Sequence, residues 1–269
     1  MQFRGASADA LTAVSDELGT RLQGGSDAAR VGSDLFTVAS LLRSEPGFRR
    51  VATDLSVEPA AKQQLVTDLF GARVEAASLE VVKVAVSRRW TSSRDLADAL
   101  ERLSEVAVVR SAGTDAARLS DELFSFNQVV AANPALRDAL SDRARSTADK
   151  AALVRSLLEG KALGATITLA TQAVAGTYRT VGVALTEYQK VAAQVAGQSV
   201  ATVRVAHPLA ATDRQRLADA LSRQYSRPIH LNVLVDPSVV GGMSVEIDND
   251  VIDGTVAGRL DDVRRKLAG

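Results

Sequence analysis

Few residues in this chain could do acid–base or ligand chemistry. His207 and His230 are its only imidazoles and it has no cysteine, which removes thiol catalysis, thiolate metal sites and disulfides. His207 precedes Pro208 in a loop, and His230 alternates with Ile229 and Leu231 along a strand. With no companion ligands, each reads as a surface or packing histidine. Gly241-Gly242 could cradle a phosphate, but neither GxGxxG nor GxxxxGK followed by Ser or Thr surrounds it, so the pair reads as a turn or bulge. Asp248, Asp250 and Asp253 carry calcium-type carboxylates without the twelve-residue loop and late Glu that calcium requires; a hairpin reversal accounts for them better. Arg264-Arg265-Lys266 is a basic run that the C-terminal end of a helix explains through its dipole. No Ser-His-Asp order, paired His ligands or nucleotide loop is present. No catalytic residue, metal site or cofactor is therefore expected.

Composition excludes further classes. The 269 residues suffice for two or three domains, and 46% hydrophobic with 24% charged residues describes a globular chain with a real core. A net charge of zero and only 4% aromatic residues argue against a nucleic-acid surface. The N-terminal Met1-Gln2-Phe3-Arg4 lacks the apolar stretch of a secretory signal, and no run reaches the ~18 apolar residues of a spanning helix. A cytosolic chain is expected, reaching a membrane only through a partner.

Most of the positioning elements are helices. Leu11, Val14, Leu18 and Leu22 set a first helix over residues 6–22, stopped at Gly24-Gly25; a second runs from about Asp27 to Arg43, before Pro46. An internal repeat then appears at an offset of 88 residues without a gap. Asp34-Leu35-Phe36 falls on Glu122-Leu123-Phe124, Pro46 on Pro134, Arg49 on Arg137, Asp54 on Asp142, Lys62 on Lys150, and Trp90 on Tyr178. Each copy reads as a helix ending before Pro, a short helical turn, and a helix around Leu65 or Leu153. A nearly wholly apolar buried helix over 77–90 or 165–178 follows, and then a closing amphipathic helix over about 94–110 or 180–196. Trp90 and Tyr178 should end the buried helices as core plugs. Residues 111–117 are too short and polar to supply the second copy with a leading helix. That copy should borrow one from the first copy's closing segment or present an open groove.

From Gly197 the pattern changes. Residues 199–205 alternate as a strand, Thr212-Asp213-Arg214-Gln215 reads as a capping box opening a helix with Leu217 and Leu221, and Ile229 to Val235 is a second strand. Met243, Val245 and Ile247 form a third, with Val251-Ile252 returning across a hairpin; from Thr255 the spacing of Val256, Leu260, Val263 and Leu267 is helical. The expected fold is mainly α, a duplicated helical bundle followed by a small α+β C-terminal domain of order β-α-β-β-β-α. Its expected domains are 1–110, 111–197 and 198–269.

The stretch VDPSVVGGMSVEI followed by VIDGTVAGRLDDVRRKL closely resembles the C-terminal signature of the delta subunit of F-type ATP synthases, whose mitochondrial counterpart is the oligomycin sensitivity-conferring protein. Asp236, Pro237, Gly241, Gly242, Val251, Ile252, Asp253, Gly254, Gly258, Arg259 and Leu260 carry the match. The resemblance implies a non-catalytic stator subunit that ties the catalytic head to the peripheral stalk. Its implied partners are the alpha subunit's N-terminal region, gripped by the helical part, and the C-terminal end of the stalk b subunit, met by the C-terminal domain. It places the chain at the cytoplasmic face of a bacterial membrane, as a peripheral component. Leu11, Val14 and Leu18 on the first helix, with Leu96 and Leu100 on a closing helix, are candidate anchors, although core packing explains them equally well. The family's ordinary pattern carries the helical unit once, and removing 88 of the 269 residues leaves 181, roughly an ordinary member's length; carrying it twice resembles the delta proteins of actinobacteria. A nucleotide-binding regulator using the small α+β domain is the competing reading.

Overall fold

The computed structural model describes residues 3–247 and 250–256. The chain divides into two compact units, Met1–Tyr188 and Gln189–Gly269.

The first unit is helical: α1 Ala6–Gln23, α2 Ala28–Ser44, α3 Pro46–Thr53, α4 Pro59–Phe70, α5 Ala76–Ser87 and α6 Asp95–Ser111. After a 3₁₀ turn at Gly113–Asp115 come α7 Ala116–Ala132, α8 Pro134–Ser141, α9 Thr147–Leu158, α10 Gly164–Ala173 and α11 Val181–Val195, the last of which runs on into the second unit. Local chemistry sets these limits. Asp27 caps α2 by accepting from the amides of Ala29 and Arg30 at 3.0 and 3.1 Å. Pro46, Pro59 and Pro134 each open a helix, where no N–H is needed.

The 88-residue offset recurs in three dimensions. Shifted by 88, α2, α3 and α4 coincide residue for residue with α7, α8 and α9. The polar fastenings repeat too. Asp34 accepts from the Glu75 amide at 2.8 Å and the Ser78 hydroxyl at 2.9 Å, with Arg30 alongside at 3.1 Å. Glu122, its counterpart, accepts from the Leu163 amide at 2.8 Å and the Thr166 hydroxyl at 2.6 Å, with Arg118 at 2.8 Å. In both copies a carboxylate on one helix thus caps the N-terminus of the apolar helix beside it. The hydroxyl and amide donors hold the Glu122 carboxyl below the usual range despite desolvation. Burial also repeats: Leu35 and Leu123, Val66 and Val154, and Val82 and Ala170 are all buried, while Leu65, Leu153, Leu79 and Ile167 are half-buried.

The second copy borrows its missing helix, one of the two expected arrangements. Moved by 88, α1 lands on residues 94–111, which are α6. In the first copy α1 packs on α5; in the second α6 packs on α10. The helix α6 therefore closes one copy and leads the next, and it is buried on almost every side. Its approach to α2 is close: a Cβ at Gly32 would meet Val108 Cγ2 at 2.5 Å and the Ser104 carbonyl at 3.1 Å. The counterpart of Gly32 is Ser120, whose buried hydroxyl lacks a partner. Ser120→Ala is expected to stabilise the helical unit by about 1 kcal/mol, read from denaturant midpoints, because it removes an unsatisfied polar group without opening a cavity. A loss of stability would mean that the hydroxyl is satisfied in solution.

The apolar helices end earlier than their hydrophobic pattern implies. The helix expected over 77–90 is α5, ending at Ser87, and that over 165–178 is α10, ending at Ala173. Arg88 is already extended, and Trp90 folds back from the following loop to donate its indole N–H to the Ala85 carbonyl at 2.9 Å. Trp90 is still a core plug, 7% exposed, but it caps the helix from outside.

In the second unit, β1 Ser199–Val205, β2 Ile229–Val235, β3 Met243–Ile247 and β4 Asp250–Asp253 form one sheet in the order β2-β1-β3-β4. The β1–β2 pair is parallel, joined through α12 Ala211–Tyr225; the β1–β3 and β3–β4 pairs are antiparallel. Ala201, Val203, Val205, Leu231, Val245 and Ile247 make a core with Leu221 of α12. The expected capping box at Thr212 does not form. The helix starts two residues earlier than a cap at Thr212 would place it, at Ala211, with Ala210 in the cap position and no side-chain cap, so Thr212 lies inside the first turn. The expected C-terminal helix lies outside the described residues beyond Val256.

Candidate functional site

The signature residues converge on one feature of the second unit, a turn after β2 that is laced to the chain leaving β4. The Asp236 amide donates to the Val205 carbonyl at 2.8 Å, hooking the turn to the end of β1. The Asp236 carboxylate accepts from the Ser238 hydroxyl at 2.6 Å and the Ser238 amide at 2.9 Å. Those donors, the hydroxyl first, hold it below the usual carboxylate range. Asp253 does the same at the opposite side: its carboxylate accepts from the Thr255 amide at 2.9 Å, and bonds from the Thr255 side chain and amide keep it low. Both acids are turn-formers, engaged locally rather than aimed at a ligand.

Between them, the Gly254 amide donates to the Met243 carbonyl at 2.9 Å and the Val256 amide to the Gly241 carbonyl at 3.0 Å. The two glycines differ in what they need. Gly242 has φ +80, and a Cβ there would fall on the carbonyl oxygen of Gly254 and within 3.0 Å of Thr255 Cα. Gly241 meets only Val256 Cγ2, at 3.3 Å. Gly242 is thus a position for glycine alone, whereas Gly241 is merely crowded. Gly254 sits 3.1 Å from the Met243 carbonyl by the same measure, and Pro237 is exposed. Gly258, Arg259 and Leu260 lie outside the described residues. Val240, at the tip of the turn, is 84% exposed, and Val251 on β4 is also exposed.

No group of three or more His, Asp or Glu side chains capable of holding a metal occurs among the described residues. His207 is an exposed loop residue and His230 a half-buried one on β2.

The candidate partner anchors turn out to be largely core. Val14, Leu18, Leu96 and Leu100 are fully buried in the first copy, so their apolar surface is already used by the fold; Leu11 is partly buried against the same core. Helical periodicity identifies an apolar face but not what covers it. Exposed apolar residues lie elsewhere, and two pairs of them occupy equivalent places in the two copies, Leu41 with Val129 and Leu69 with Leu157, whereas Val51, Leu55 and Val183 have no apolar counterpart of similar size. In the second copy a cleft between α7 and α9 is lined by Phe126, Val129, Leu157 and Leu158, with Arg118 and Lys161 beside them.

Sequence reasoning also missed a polar cluster on α6. Glu101, Ser104 and Glu105 are all wholly buried. The available signal was that apolar residues of α6 recur on more than one helical face, so its polar residues had to be buried with them.

The family described as ATP synthase delta (OSCP) subunit matches residues 103–267. The chain belongs to that family. The match begins inside α6 and runs through the second copy and on into the second unit. Relatives named ATP synthase subunit delta extend the similarity over the first copy as well. One from a Nocardioides strain is 52% identical over 99% of this chain and 98% of its own length. One from Kineococcus radiotolerans is 47% identical over 91% and 90%, and one from Thermobifida fusca 39% identical over 99% and 100%.

Proposed function

We propose that this chain bridges the catalytic head and the peripheral stalk of an F-type ATP synthase by holding the alpha subunit's N-terminal region on its helical unit and the C-terminal end of the b subunit on its sheet unit. Membership of the ATP synthase delta family over residues 103–267 carries the reading: the family is a non-catalytic stator component. The architecture suits that task. Helical surface dominates the larger unit, and its exposed apolar positions Leu41, Leu69, Val129 and Leu157 offer what an amphipathic helix needs. Val240 and Val251 offer apolar contacts on the sheet unit. No helix of the described residues is long and apolar enough to cross a membrane, so attachment at the cytoplasmic membrane face would come through the complex. The nucleotide-binding alternative finds no support in the relatives. At Gly241 and Gly242 the backbone is occupied by residues 254–256 rather than open to a phosphate.

Calorimetry of the full chain tests the proposal. Titration with a peptide of the alpha N-terminal region and with a b C-terminal segment should each give saturable binding, the second weakened by Val240→Asp. ATP should give no heat of binding. Failure of both peptides to bind, or stoichiometric ATP binding, would overturn it.

A further inference from the structure

The buried acids of α6 do something that the stator assignment does not require. Glu101 and Glu105 lie one turn apart on the helix shared by the two copies, and neither is exposed. Both reach into the segment between α10 and α11 of the second copy. The Glu101 carboxylate accepts from the Thr177 amide at 2.9 Å and from the Thr177 hydroxyl, and Arg43 of α2 donates to it at 2.5 Å. Glu105 accepts from the Tyr178 hydroxyl at 2.9 Å and from Arg102 at 3.0 Å. A Cβ at Gly176 would fall on Glu101 Oε1 and within 3.2 Å of the Gln172 carbonyl. Behind Tyr178, the Tyr188 ring stands edge-on at 5.7 Å, and its buried hydroxyl has no partner.

The first copy supplies an internal contrast. Its corresponding loop is held without a buried acid: the Ser7 hydroxyl accepts from the Thr91 amide at 2.8 Å, and Trp90 bonds the Ala85 carbonyl. One loop is tied by neutral groups and by the half-buried Asp95, which accepts from the Ser7 hydroxyl at 2.6 Å and the Ser92 amide at 3.2 Å, and the other by two wholly buried acids.

We propose that Glu105, buried beside Glu101, forms a pH-sensitive latch between the two helical copies, closed when Glu105 carries a proton and loosened when it loses it. The charged and titratable groups acting on Glu105 are Arg102 and Glu101 on α6, Tyr178 in the latched segment and Tyr188 on α11; behind them Arg43 of α2 and Asp98 of α6 act on Glu101, and Glu187 of α11 acts on Tyr178, while α10 brings none. Burial pushes the Glu105 carboxyl up to about 7, with Glu101 adding repulsion, while Arg102 and Tyr178 pull it back. Burial keeps both tyrosines protonated throughout the physiological range. A carboxyl raised in the folded state binds its proton more tightly there than in the opened state. Its contribution is therefore complete at low pH and lost as pH rises through about 7.

Amide hydrogen exchange of the full chain, corrected for intrinsic rates, tests the latch. Protection of amides in residues 174–180 should fall about tenfold from pH 6 to pH 8, while that of residues 88–94 stays level. Glu105→Gln, which keeps an acceptor for Tyr178, should flatten the profile. A level profile in the wild-type protein overturns the proposal. So does an equal fall in both loops, or a Glu105→Gln protein that repeats the wild-type dependence. Should that variant fail to fold, the wild-type profile decides alone.

Discussion

Gly242→Val is expected to unfold the sheet unit while leaving the helical unit folded. Two costs combine. A β-branched residue at φ +80 carries about 1–3 kcal/mol of backbone strain. Its Cβ also falls on the Gly254 carbonyl, backbone that cannot yield without breaking the bonds of Gly254 to Met243 and of Val256 to Gly241. Losing those bonds brings the total to about 4 kcal/mol or more, a large part of the stability that a domain commonly has. Amide exchange in β1 and β3 should rise to nearly the unfolded rate. Emission from Trp90, the chain's one tryptophan, should not change, because it reports on the helical unit. Gly241→Ala is the control: it crowds one methyl and should cost about 1 kcal/mol or less. Unchanged protection of β1 in Gly242→Val would show that the turn can be rebuilt.

Gly32→Val should have the second large effect, on the helical unit. At this crossing a Cβ already meets Val108 Cγ2 at 2.5 Å and main-chain atoms of Ser104 and Val108 at 3.1 Å. Two further methyl groups must push α2 off α6 and uncover Leu35, Leu100 and Leu103, all buried. Overpacking of this kind costs about 1–3 kcal/mol, and more where backbone has to move; the gain in helix propensity over Gly returns only about 0.5 kcal/mol. A net loss of about 2–3 kcal/mol is expected in urea midpoints followed by Trp90 emission. Since α6 also leads the second copy, residues of α10 should lose exchange protection as well. Loss confined to α1–α5 would mean that the copies unfold separately.

Much of this fold is legible in the sequence because its punctuation is chemical. Gly24-Gly25, Pro46 and Pro134 stop or start helices for reasons local to the backbone, and the expected limits of α1 and α2 fall within a residue of those observed. The repeat is legible because Pro, Lys and an aromatic hold register where alanines cannot. What escaped was set by tertiary context. Trp90 continues an apolar run, so periodicity keeps it in the helix; only its bond to Ala85 reveals the loop. Val14 and Leu100 satisfy the pattern for a partner-binding face and for a core equally, and burial decides for the core. Thr212 carries the residue types of a capping box but sits two positions too late. At the turn the spacing singled out both glycines, but only the backbone angle separates Gly242 from Gly241.

The shared helix has a mechanical consequence. Where two modules meet end to end through a linker, load crosses a joint that can swivel, and side-to-side torque is lost in it. Here the seventeen residues of α6 belong to both copies, so force entering one leaves through the other along a continuous covalent rod, braced on one side by α2 and on another by α10. Lengthening the unit by 88 residues therefore adds reach without adding a pivot, and a further 88 inserted in the same phase would do so again.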